Sequence, residues 1–201
     1  MLARFAFLAA WLCAATAHAA SVNVVVTDAG GNPLTDAVVM LEPAAGRLPV
    51  KPMPGVQIAQ HDRQFVPQLT VVTVGTAVLF PNQDTVRHHV YSFSPAKTFQ
   101  IKLYAGVPHS PIVFDKPGIA VLGCNIHDGM VAWVVVADTP LWARTGPGGH
   151  ARIEGVAPGA WQLHVWHATQ ADGAPPVLVP VTVAAADVDQ RVRLGTGGSA
   201  R

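Results

Sequence analysis

Beyond position 20 the chain is a series of short apolar runs, each closed by Gly, Pro, Asn or Asp. In "SVNVVVTD" β-branched residues dominate and polar ones punctuate, which predicts a strand over 22–27. A Gly-Gly-Asn-Pro turn follows, and "AVVML" predicts a second strand over 37–41. The segment "AAGRLPVKPMPG" (44–55) has no period and reads as a linker. Strand signals then return over 56–138 in "QLTVVTV", "AVLF", "HHVYSF", "TFQIKLY", "SPIVF", "IAVLGC" and "MVAWVVVAD". After the break "DTPLWARTGPGGH" come "ARIEGVAPGAWQLHVWH", "PVLVPVTV" and "QRVRL", and 196–201 reads as a disordered tail. No helical period or heptad follows position 20. Short strands at this spacing predict an all-β chain built as sandwiches or barrels.

Composition sharpens that expectation. Half of the 201 residues are hydrophobic, only 12% are charged, and 18 Gly and 17 Pro supply the turns. Thirteen Lys and Arg face 12 acidic residues with no basic stripe, which argues against a nucleic-acid partner. The first 20 residues differ from the rest: Arg4, an apolar run over 5–15, then "AHA" at 17–19. That pattern predicts a secretory signal peptide cut after Ala19 or Ala20. The run is too short to span a bilayer, so no membrane span is expected after cleavage. Leu12 is too bulky to precede a lipidated Cys13. Cleavage would leave Cys124 as the lone thiol, unable to form an intramolecular disulfide in an oxidising compartment. A lone thiol there needs burial or a ligand.

Cys124 stands in "GCNIHDGM", three residues before His127, which is three before Met130. By itself this spacing fits a buried strand end, a Cys–His nucleophile or a metal site. The upstream segment "VVTVGTAVLFPNQDTVRHHVYSF" adds His88 and His89 at the entry to a strand. A thiolate with two imidazoles makes a trigonal donor set, and a weak thioether on its axis completes a blue-copper electron-transfer site. Zinc takes Cys and His but not Met. A nucleophilic pair needs an orienting group and an oxyanion hole, and a tight loop between strands supplies no helix N-terminus. No enzyme is therefore expected. Parity puts His88 on one face with Val90, and His89 with Tyr91 on the other. The remaining histidines (His61, His109, His150, His164 and His167) are scattered; His61, just before the Phe65 strand, reads first as a solvated loop histidine and only second as one that approaches the site from a neighbouring strand.

Residues 65–138 resemble a cupredoxin of the plastocyanin/amicyanin type. The matching positions are Phe65, Pro67, Val72 and Gly75, then Val78, Phe80 and Asn82, then the loop from Cys124 to Met130. The two-residue gap between His127 and Met130 resembles the short loop of amicyanins, whose first ligand follows the motif asparagine by six residues, the position of His88. The resemblance implies a Greek-key β-sandwich holding one type 1 copper on His88, Cys124, His127 and Met130. Arg87 and His89 depart from the Pro and Asn that usually flank the first histidine. The chain ends resemble a carboxypeptidase regulatory-like domain, a small prealbumin-type β-sandwich, through the first hairpin and through Gly149, Ile153, Val156, Pro158, Gly159, Trp161, Leu163 and Val165. This divides the chain into a signal peptide (1–20), a first hairpin (21–45), a copper domain (46–138), the rest of the second sandwich (139–195) and a tail (196–201). The other division is two sequential domains with a stray N-terminal hairpin. The whole arrangement resembles bacterial proteins labelled as methylamine utilization proteins.

The function expected from this reading is a periplasmic carrier of single electrons between a donor and an acceptor redox protein. Gly129, Val131 and Pro81 are expected to form a docking patch around His127. The alternative is a periplasmic copper carrier with no electron-transfer role. Trp133, Trp161 and Trp166 are expected in the cores.

Overall fold

The computed structural model describes residues 19–170 and 174–195. The signal-peptide reading (1–20) lies almost wholly outside these residues, and the tail reading (196–201) entirely so. No helix among the described residues is long and apolar enough to cross a membrane.

The chain is all-β, as the period-2 pattern predicts. It opens with β1 (Ala20–Thr27) and β2 (Val38–Pro43). The middle holds β3 (Val56–Gln57), β4 (Ala59–His61), β5 (Gln64–Val66), β6 (Leu69–Thr73), β7 (Thr76–Leu79), β8 (His88–Ser94), β9 (Lys97–Tyr104), β10 (Ile112–Phe114), β11 (Gly118–Gly123) and β12 (Val131–Ala137). The chain closes with β13 (Trp142–Arg144), β14 (His150–Val156), β15 (Gly159–Trp166), β16 (Val177–Val183) and β17 (Val188–Arg193).

Two cores result. The first lies between sheets β14-β1-β17 and β13-β2-β15-β16, so its strands come from both ends of the chain. Val22, Val24, Leu41, Leu163 and Val165 are among its fully buried members. Burying such side chains contributes about 1.5–3 kcal/mol each. Gly149 is obligatory there: at φ +74, a Cβ would stand 2.4 Å from the Val26 carbonyl oxygen. The second core lies between sheets β6-β12-β11-β8-β9 and β10-β7-β3, and includes Phe80, Val90, Phe114, Leu122, Cys124 and Met130.

A third apolar cluster joins the two units. Val38 and Met40 of β2 meet Leu69 and Val71 of β6 and Val135 and Ala137 of β12. β2 and β12 therefore bury both faces: Val39 and Leu41 face the first core, and Val134 and Val136 the second. This explains why "VVML" and "VAWVVVA" are continuous apolar runs. Trp133 and Trp166 belong to this junction, with ring centroids 6.5 Å apart, whereas Trp161 packs inside the first core. Trp161 and Trp166 are buried as expected, whereas Trp133 is only half-buried, on the outward face of β12 that packs against the β2/β15 sheet.

Candidate metal centre

The ligand loop consists of two successive turns between β11 and β12. The second turn is closed by Met130 N–H donating to the His127 carbonyl at 3.0 Å. One residue in three therefore recurs at a turn boundary, at Cys124, His127 and Met130. Cys124 and Met130 are buried in the second core, and His127 is half-buried. The next strand over brings His88, fully buried at the start of β8. Tyr91 packs over Gly123, where an added Cβ would lie 2.6 Å from its Cζ, so that ring or strand would have to shift.

His88 Nδ1 lies 3.9 Å from Cys124 Sγ, and the rings of His88 and His127 are 5.0 Å apart. One donor atom from each of His88, Cys124 and His127 falls within 4.8 Å of the others. Taking zinc bond lengths of about 2.0 Å to nitrogen and 2.3 Å to sulfur, a trigonal ion would hold a nitrogen and a sulfur about 3.7 Å apart and two nitrogens about 3.5 Å apart. His127 Nδ1 is buried with no hydrogen-bond partner. A buried imidazole nitrogen left unpaired is costly unless something accepts its lone pair. Soft thiolate, two imidazoles and a nearby buried thioether fit a type 1 copper ion.

The other side of His88 is fixed by Asp84. Its Oδ2 lies 2.6 Å from His88 Nε2. Burial pushes the Asp84 carboxyl up, but the N–H groups of Arg63 and Asp62 and the His88 ring together outweigh it and hold the group below the usual carboxylate range. An ionised carboxylate only accepts, so His88 Nε2 carries the proton and Nδ1 presents its lone pair toward Cys124. Asp84 is itself anchored. Its Oδ1 accepts the Asp62 N–H at 2.7 Å and its Oδ2 the Arg63 N–H at 3.0 Å, while its own N–H donates to Asn82 Oδ1. Asn82 Nδ2 donates to the Val86 and Tyr104 carbonyls, closing the loop that leads into β8. Beneath it Tyr104, paired with His88 across β8–β9, donates to the Phe80 carbonyl and takes a hydrogen bond from Gln60. Burial pushes its phenol up to about 12, against the Gln60 hydrogen bond and with a small contribution from Cys124.

His89 does not join the cluster. It turns away from the second core, its ring edge-on to Tyr91 at 5.7 Å. The expected docking patch needs a correction, because Pro81 is buried by the strands that flank it and cannot reach a partner. The exposed apolar residues of the ligand loop and the loop into β8 are Ile126 and Val86. Asp84 was not foreseen at all. Its signal in "NQDTVRHH" is a carboxylate four residues before the first histidine, but that spacing has no meaning until the loop's path is known.

No family model matches the chain, and no curated protein matches it. Among solved structures the chain is similar to cupredoxins. One is a purple cupredoxin from Nitrosopumilus maritimus, 23% identical over 41% of this chain and 99% of that one, with a TM-score of 0.36. Another is amicyanin from Paracoccus versutus, 16% identical over 43% of this chain and 85% of that one, TM-score 0.36. The copper-containing nitrite reductase of Thermus scotoductus is 23% identical over 56% of this chain, which spans only 28% of that enzyme, TM-score 0.39. At such scores the likeness adds nothing to the geometry of the site.

Proposed function

We propose that the chain is an exported copper protein of the periplasm that carries single electrons between a donor and an acceptor redox protein. Residues 46–138 form its copper unit, and 21–45 with 139–195 form one flanking sandwich. His88, Cys124, His127 and Met130 would hold one ion. The observation that carries this reading is the convergence of one donor atom each from His88, Cys124 and His127, beside a buried, unpartnered His127 Nδ1 and a His88 tautomer that Asp84 dictates.

Copper, when bound, would supply one-electron chemistry at a site with one thiolate. The protein's residues supply the rest. Cys124 and Met130 are shielded from water by the second core, which lowers the local dielectric. Asp84 and the Asn82 loop fix the His88 ring before any ion arrives, so little need rearrange when the charge changes. His127 is the half-exposed member, so its ring edge is where a partner protein can come nearest.

One observation favours the rival reading of a copper carrier. A cleft of about 430 Å³ between Asp62–Phe65 and the ligand loop is lined by His127 and Met130, and it offers an incoming chelator a route to the site. A single experiment separates the two. Copper(II) is added to the mature protein and to Cys124→Ser, and visible and EPR spectra are taken before and after reduction. Electron transfer predicts an intense thiolate-to-copper band, bleached by reduction, restored by oxidation and absent in the variant. A colourless protein that holds copper(I) and yields it to chelators supports the carrier. No thiolate–copper signal under any condition overturns the ligand assignment.

A further inference from the structure

A second group of metal-ligating side chains stands at the tip of the β4–β5 hairpin, outside the site described above. His61, Asp62 and Asp84 each offer a donor atom, and these atoms all lie within 4.8 Å of one another. His61 Nε2 is 3.4 Å from Asp62 Oδ2, and both side chains are exposed. The hairpin is fixed from below, because Asp62 and Arg63 form a two-residue turn at φ 50 and 57 whose N–H groups both bind Asp84.

The question is whether Asp84 has anything left to give. A carboxylate has about four lone-pair sites. Oδ2 uses two, for Arg63 N–H and His88 Nε2–H, and Oδ1 uses one, for Asp62 N–H. One lone pair on Oδ1 remains. A surface cleft of about 360 Å³, lined by Asp62, Arg63, Asp84, Thr85 and Val86, opens beside it. Each water takes about 30 Å³, so an ion with several waters fits.

We propose that His61, Asp62 and Asp84 form a second, exchangeable site for a borderline divalent cation, copper(II) or zinc(II), separate from the thiolate site and sharing Asp84 with it. One imidazole with two carboxylates suits these ions. Calcium and magnesium want oxygen alone, and copper(I) wants sulfur. Arg63 lines the same cleft, and its positive charge opposes the ion. Because Asp84 also holds His88, an ion on Oδ1 draws charge from the carboxylate that supports His88, making His88 a weaker donor. That coupling rests on the function proposed above; the binding itself does not.

The binding is tested by calorimetry with zinc(II) on the full Cys124→Ser chain, with and without His61→Ala. Both residues of interest at the tip are exposed, so the second change leaves the fold intact. One zinc-binding event is expected to weaken at least tenfold with His61→Ala and to tighten with Arg63→Gln. Unchanged stoichiometry and affinity in the His61→Ala chain overturns the site, whatever becomes of the thiolate reading. The sharing is tested on the copper-loaded wild-type chain by adding zinc(II) and measuring the reduction potential. A rise that His61→Ala abolishes is expected, and an unmoved potential with zinc bound overturns the sharing.

Discussion

The two β units obey the same period-2 chemistry yet treat buried polar groups differently. In the flanking unit and at its borders the buried hydroxyls are satisfied: Thr139 Oγ1 donates to the Leu41 carbonyl, and Thr145 Oγ1 donates to the Leu34 carbonyl while accepting the Ala37 N–H. Every buried side-chain nitrogen or oxygen without a partner, among the described residues, falls in the middle unit: Gln60 Oε1, Thr70 Oγ1, His89 Nε2 and His127 Nδ1. Leaving such an atom unpaired costs about 1–3 kcal/mol. A unit that tolerates this cost next to a buried thiol is organised around something other than stability. The flanking unit is organised around packing, and its outer face is given over to the junction with its neighbour.

Matched cavities should separate the two kinds of core most strongly. Leu163→Ala in the first core and Leu122→Ala in the second each remove a fully buried leucine and should each cost about 2–5 kcal/mol in chemical denaturation of the metal-free protein. Only Leu122→Ala, two residues from Cys124, should also broaden and weaken the thiolate–copper band. A Leu163→Ala band altered to the same degree would mean that the units are not independent and that the comparison fails.

Gly123→Ala probes the contact behind the thiol. Its Cβ would lie 2.6 Å from Tyr91 Cζ and 2.7 Å from the hydroxyl, so ring or strand must yield, at a cost of about 1–3 kcal/mol. Adding Tyr91→Ala should recover much of that loss. A double variant no more stable than the sum of the two single changes predicts would show that the strain lies elsewhere.

How much of this was legible in the sequence differs by region. The all-β class follows from the runs themselves, and the three-residue recurrence at Cys124, His127 and Met130 follows from turn geometry. The face shared by His88 and Val90 follows from strand parity, although a bulge between them leaves His89 nearly as buried as its neighbours. Less legible was whatever depends on long-range approach. The β4–β5 hairpin has Asp62-Arg63 at its tip in place of Asn-Gly, and the missing turn chemistry is supplied by Asp84 from another loop. The junction was visible only as apolar runs too continuous for a sheet with one wet face. Pro81 reads as a loop residue until β4 is seen to run beside it, with Gln60 N–H donating to its carbonyl.

Asp84→Asn refines the comparison within the middle unit, since it keeps the shape and removes the charge. Losing a carboxylate that supports a ligating histidine typically costs 10–100-fold in metal affinity. The loss should fall mainly on copper(II), which depends more on a strong imidazole donor than copper(I) does. Each tenfold selective loss raises the potential by about 59 mV. Voltammetry of the variant should therefore show a higher potential with the thiolate band retained. An unmoved potential would mean that Asp84 is screened from the site, and a lower one that the loss falls mainly on copper(I).

The smallest effect is expected in the flanking unit, at His167, whose proton affinity the fold lowers. Burial lowers its pKa from the usual 6.5, against the Thr35 carbonyl and Asp36, which favour the charged form. Nε2–H donates to the Thr35 carbonyl at 3.0 Å, while Nδ1 accepts the Thr169 N–H at 3.2 Å and lies 2.8 Å from Thr169 Oγ1; protonation of Nδ1 breaks the N–H contact and leaves the hydroxyl to accept, so burial decides the direction. The unfolded chain therefore binds this proton at a higher pH than the folded one. The stability His167 contributes is complete above about pH 6.5, declines as pH falls below that value, and is gone below the folded pKa. NMR titration of the metal-free protein should give a His167 midpoint below 6.5, with shift changes confined to 167–170 and the Thr35 loop. A midpoint above 6.5 would mean that Asp36 outweighs burial, and the flanking unit would then share the electrostatic character assigned here to the middle one alone.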